Sequence, residues 1–178
     1  PTAAGHRGGR RLDHASIGAL TDVTEQLLDD RGLDTVHIAG NSMGGEIAGR
    51  FAVMFPGKVL SLTLVDCTGV SSPVPSDMVV RASKGEPLPL VVGSVEDFDR
   101  RMQFLFVQEP KIPGLIKRVL AEEERARQKT NETILAQIIP ELDDLEPDLG
   151  QIKAPTLVLW GDHDRMRDVS SVQVLQKG

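Results

Sequence analysis

The chain has no tyrosine and one tryptophan, and aromatic residues make up only 3% of its 178 positions. A core without aromatic mass must be built from aliphatic side chains, and a hydrophobic content of 40% supplies them. A single cysteine, Cys67, excludes an internal disulfide, so the fold does not depend on an oxidising compartment. Positive charge is also short: 20 Lys and Arg stand against 26 Asp and Glu, a net charge of −6. That balance argues against nucleic acid as the main partner, because phosphate binding wants a basic face. No apolar run approaches the roughly 20 residues that span a bilayer. Residues 1–11 are polar and glycine-rich and do not read as a signal peptide; this leaves the location open and only slightly favours the cytoplasm.

What is present is organised around residues 36–45, Val-His-Ile-Ala-Gly-Asn-Ser-Met-Gly-Gly. The segment reads as a short buried strand, a very tight turn and the start of a helix. Gly40 and Gly44 flank Ser42 in the G-x-S-x-G spacing. A serine on a sharp strand-to-helix corner sits in a strained backbone, and larger flanking residues are expected to clash with strand or helix. The corner lifts the hydroxyl clear of the sheet and sets it at a helix N-terminus, where free N–H groups favour developing negative charge. A helical pattern follows over residues 43–55, and a second apolar strand over 59–65.

The rest of the chain supports a parallel α/β arrangement. Residues 16–31 repeat apolar side chains at helical spacing, with Ser16 as cap and Gly32 as stop. Between residues 69 and 150 no strand is apparent. Helices are predicted over 94–107, 112–129 and 131–139, with an acidic loop over 143–150. Residues 156–160 form a clean apolar strand, followed at once by Gly161-Asp162-His163-Asp164, and 169–175 suits a final helix. Alternating elements predict a core of residues 1–68 and 151–178. The helical insertion, 69–150, is expected to cap the carboxyl ends of the strands, where such sheets bind ligands.

A serine nucleophile needs a general base and a carboxylate to orient that base. Asp164, just past the last strand, fits the orienting acid. Asp162 competes but reads better as a turn cap, and Asp66 reads as a strand-end aspartate capping the following loop. His37 falls inside a strand and suits packing. His163 suits a solvated turn, and His6 and His14 lie in or near the opening loop. Met78, Phe98, Met102, Phe104, Phe106 and Leu115 either line an acyl pocket or pack the inserted helices together.

Residues 40–45 and 155–165 together resemble the α/β-hydrolase superfamily, most like its lipase and esterase members, including monoacylglycerol lipases. The opening Gly5-His6-Arg7-Gly8-Gly9 loosely resembles that family's glycine-rich loop. The resemblance implies a partial α/β-hydrolase fold and a serine hydrolase of carboxylic esters, acylglycerols or similar lipid esters. Ser42 corresponds to the nucleophile, Asp164 to the triad acid and the Met43 N–H to an oxyanion donor. No metal and no organic cofactor is implied, and the implied partner is a small-molecule ester. The departures are as informative. None of the 14 residues after Asp164 is the histidine that the family places there. The first strands and the second oxyanion donor are missing too, so the chain reads as the middle of the fold. A non-catalytic binding module, a C–C hydrolase or a perhydrolase are the alternatives.

Overall fold

A computed structural model describes residues 15–141 and 143–178. The expectations for His6, His14 and the loop at residues 5–9 lie outside the described residues.

The centre is a parallel sheet of three strands in the order β1-β2-β3: β1 (Val36–Asn41), β2 (Val59–Val65) and β3 (Thr156–Leu159). The register pairs Asn41 with Val65 and Val65 with Leu159, so all three strands end at one level. Helix α2 (Met43–Met54) returns from β1 to β2 and covers one face. Phe51, Ala48 and Ala52 of α2 pack there with Leu62 and Leu64 in a cluster almost closed to solvent. Helix α1 (Ile17–Asp30) lies beside α2. Its ends follow the chemistry read from the sequence: the Ser16 hydroxyl accepts from the Ala19 N–H, and Gly32 takes φ +63° just past the helix.

The first strand departs from expectation. It is buried on one face only, with Ile38 half-buried while His37, Ala39 and Asn41 are exposed. His37 does not serve packing. Its Nδ1 lies 2.7 Å from the Ser61 hydroxyl on the open face, which also carries Leu157 and Leu159.

The stretch between β2 and β3 is helical: α3 (Asp77–Ser83), α4 (Val95–Leu105), α5 (Gly114–Ala126) and α6 (Gln128–Ile138). Among the described residues it contains no strand. Helix α3 was not anticipated, because Pro73 and Pro75 made its approach read as turn; Ser76 nevertheless caps it, accepting from the Val79 N–H. The break between α5 and α6 falls at Arg127, earlier than the spacing indicated. The acidic loop is in part a 3-10 turn, Glu146–Gln151, that buries Leu149 while Leu145 ahead of it is fully buried. Helix α7 (Ser171–Leu175) closes the chain.

Two apolar clusters divide this helical stretch. Val92, Phe98 and Ala121 form a cluster of their own between α4 and α5. Ile134 and Ile138 of α6 join Ile17, Leu20 and Ile47 of α1 and α2. Helix α6 therefore packs on α1 and α2, and the Ala15 N–H donating to Gln137 at 2.9 Å fixes it there.

Candidate active site at the strand ends

Ser42 leaves β1 with φ 53° and ψ −126°, a conformation that side chains other than glycine's rarely adopt. Backbone bonds on both sides hold it there. Its N–H donates to the Val65 carbonyl at 2.9 Å, and its carbonyl accepts from the Gly45 and Thr68 N–H groups at 2.9 and 3.1 Å. The steric reason for the glycines differs from the sequence expectation at one position. A Cβ on Gly40 would lie 1.9 Å from the Gly44 carbonyl oxygen, so Gly40 is required. A Cβ on Gly44 would meet nothing within 4 Å. The second squeeze is at Gly45, where a Cβ would sit 2.4 Å from Cys67 Cβ. The turn is tight because strand, helix and the segment after β2 converge on it.

Asp164 lies in the turn after β3. Its Oδ1 accepts from the Met166 and Arg167 N–H groups at 2.7 and 3.1 Å, which fixes the carboxylate. Burial pushes its pKa up, and those two N–H bonds pull against the rise. Asp162 is almost fully exposed and has no turn bond comparable with these; His163, also exposed, lies 3.9 Å from it. Asp66 takes φ 44° and does not cap its own following loop. Its Oδ1 accepts from the Gly161 N–H at 2.7 Å, clipping the end of β2 to the end of β3. Ser42 and Trp160 follow strands with β2 between them, about 10 Å from each other at the usual spacing.

Above Ser42 is a cavity of about 730 Å³. Ser42, Met43, Asp66 and Thr68 form its polar floor, with Met166 and Arg167 from the turn after β3. Its apolar walls come from α3 (Met78, Val79), the following loop (Leu88, Leu90) and α6 (Ile134, Ile138). Neither His37 nor His163 lines it. Of the six side chains weighed for an acyl pocket, Met78 alone is in this wall. Phe98 and Met102 belong to the α4–α5 cluster, Phe104 stacks under Arg165 and Arg81, and Phe106 and Leu115 face solvent. The α6 residues were legible as a helical stripe, but nothing local shows which surface such a stripe meets.

One buried group was missed. Glu46, four residues after Ser42, is closed to solvent. Its Oε2 accepts from the Thr68 hydroxyl at 2.6 Å, and its Oε1 has no hydrogen-bond partner. Burial raises its pKa to about 7, against the opposing pull of Thr68 and the Arg167 charge. The available signal was an acid in a run of small and apolar residues, Gly45 to Ala52, that the helix buries. The neighbouring Arg167 donates to the Val70 carbonyl at 3.1 Å and to Asp143 at 2.8 Å, tying the turn after β3 to the segment after β2. Cys67 beside them is pushed up to about 12 by burial and is no nucleophile at neutral pH.

Known proteins resemble this chain in sequence and fold. Residues 1–177 match the model of the alpha/beta hydrolase family. Lipase 1 of Psychrobacter immobilis is 34% identical over 93% of this chain and 52% of its own length. Human monoacylglycerol lipase ABHD6 is 28% identical over 97% of this chain and 55% of its own. The crystal structure of a membrane phospholipase A, described as a bacterial virulence factor, superposes with a TM-score of 0.92. It is 39% identical, covering 98% of this chain and 57% of that one. A meta-cleavage product hydrolase from Pseudomonas fluorescens shares the fold at 20% identity and a TM-score of 0.76. The chain spans about half the length of the curated relatives it matches. With its sheet order, its strained serine corner and this family match together, the chain belongs to the alpha/beta hydrolase family.

Proposed function

We propose that the protein containing this chain is a serine hydrolase that cleaves carboxylic esters of lipids, acylglycerols or similar substrates. The observation that carries this reading is Ser42, held at φ 53° on the floor of a mainly apolar cavity of about 730 Å³. In the proposed reaction the Ser42 hydroxyl attacks the ester carbonyl, and the Met43 N–H supports the oxyanion. The acyl chain lies against the α3 and α6 walls, and α3 to α6 act as the cap over a core of sheet, α1, α2 and α7. Asp164, fixed by two N–H groups, orients the histidine that takes the serine proton. In this reading that histidine is not one of these 178 residues: the family places it after Asp164, where this sequence has none, and neither His37 nor His163 lines the cavity. The names of the relatives, lipase and monoacylglycerol lipase, support a lipid ester as the substrate class.

A fluorophosphonate probe on the full-length protein tests the nucleophile. Labelling is expected to map to Ser42 and to vanish in Ser42→Ala; labelling that survives that substitution unchanged overturns the assignment. The alternative is a binding module of the same fold without turnover. It predicts a lipid bound in the cavity of the full-length protein, with no labelling and no ester hydrolysis.

A further inference from the structure

Among the described residues sixteen large hydrophobic side chains are exposed, and six of them fall within residues 105–119: Leu105, Phe106, Val107, Leu115, Ile116 and Val119. The concentration is sharpest on α5. Ala121 is buried against Phe98 on the inner side of that helix, while Leu115, Ile116 and Val119 project on the opposite side, with Leu115 71% exposed. The helix thus packs inward through Ala121, near its middle, while the apolar strip on the outer side of its first half has no partner among the described residues.

Charge follows the same division. Within residues 105–119 one acid, Glu109, stands against Lys111, Lys117 and Arg118, in a chain of net charge −6. Lys117 is engaged with Asp99 at 2.6 Å, which leaves Lys111 and Arg118 flanking the apolar strip. The acids of α5 begin one turn later, with Glu122 and Glu123. An apolar strip edged by basic residues, then an acidic half, fits a boundary between negatively charged headgroups and water. A helix of 13 residues, about 20 Å long, lies on such a surface and does not cross it.

We propose that the first half of α5, with Phe106 and Val107, inserts into the surface of an anionic lipid bilayer. Its acidic second half is tilted toward water. The lipid-ester reading gives this surface its purpose, but the surface can be tested without turnover.

The test uses the full-length protein with one environment-sensitive fluorophore at a time, on Val119→Cys, Ile116→Cys or Glu123→Cys, other reactive cysteines being replaced. Vesicles of phosphatidylcholine mixed with phosphatidylglycerol are compared with pure phosphatidylcholine, whose surface lacks the negative potential that attracts basic residues. A blue shift and rise in emission at 116 and 119, absent at 123 and weakened in 0.5 M salt, about a twofold shorter Debye length than 0.1 M, is the expected result. Replacing Leu115, Ile116 and Val119 together by serine lowers partitioning to the mixed vesicles by about tenfold or more. The local probe reports this surface even where another segment of the protein holds the membrane. No change at 116 and 119 on adding vesicles overturns the proposal. So does a buried spectrum at both positions before vesicles are added, which assigns the strip to a second copy or to another part of the protein. Fluorophosphonate labelling of Ser42 in the same samples tests the hydrolase reading separately.

Discussion

The sheet with its serine corner and the helical stretch between β2 and β3 are built by different rules. At the corner three backbone segments touch, and the permitted residues follow from hard contacts: 1.9 Å at Gly40 and 2.4 Å at Gly45 for a Cβ that is not there. In the helical stretch the contacts are between side chains, and the clusters of α4–α5 and of α6 are separate. The corner is specified by geometry that few sequences satisfy. The helices are specified by burial, which many sequences satisfy, so this is where specificity for substrate and surface can vary.

The largest expected effect tests the corner. Gly40→Ala places a methyl group inside the van der Waals radius of the Gly44 carbonyl and should cost more than about 4 kcal/mol, enough to leave the chain largely unfolded. Gly44→Ala meets no atom within 4 Å and should leave the denaturation midpoint nearly in place. Equal losses for the two would show that conformational freedom, and not the convergence of segments, sets the glycines.

The next effect tests the independence of the helices. Phe51→Ala, in the fully buried cluster under the sheet, should cost about 3–5 kcal/mol and remove protection from β1 and β2 together. Phe98→Ala should cost a similar amount locally, yet hydrogen exchange should speed in α4 and α5 while β1, β2 and α2 keep their protection. Loss of protection across the sheet in Phe98→Ala would join the two regions into one cooperative unit.

This division also explains what could be read from the sequence. Ser42, Gly40 and the strand-helix-strand order were legible because each depends on neighbours within ten residues. Ser16 and Gly32 marked their helix ends for the same reason. The one-sided exposure of His37 and Ala39 was not legible, because an apolar run does not say whether both faces of its sheet are covered. Helix α3 was obscured by two prolines whose role is to turn the chain just before it. Most of the cavity wall was hidden too. Ile134 and Phe98 both sit in helical stripes, and the choice between cavity and packing is made by the angle at which the helices cross.

Glu46 links the corner to the segment after β2, and its titration gives a smaller effect of definite sign. Its pKa rises from an ordinary 4.5 to about 7 on folding. A raised pKa contributes stability that is complete below about 4.5 and is lost as pH climbs through 7. The stability of Glu46→Gln relative to the unsubstituted chain should therefore rise by roughly 2–3 kcal/mol between pH 5 and pH 8, as measured by urea denaturation. A difference independent of pH would mean that Arg167 and Thr68 hold Glu46 ionised throughout.

The smallest effect isolates the strain at Ser42 itself. At φ 53° and ψ −126° a side chain costs of order 1–3 kcal/mol, and glycine adopts the same conformation without that cost. Glycine also gives the unfolded chain more freedom, which offsets about 0.4–1 kcal/mol of the gain. Ser42→Gly should then be more stable than the unsubstituted chain by about 1 kcal/mol, whereas Ser42→Ala, which keeps a Cβ at the same φ, should gain little. The comparison separates backbone strain from loss of the hydroxyl, since both variants lack the hydroxyl and only one relieves the corner. Equal stabilities for Ser42→Ala and Ser42→Gly would place the strain elsewhere, at Asp66 with its φ of 44° on the neighbouring strand end. A clear gain in glycine alone would show that the corner holds its serine against a backbone preference, as a site selected for a reactive hydroxyl would do.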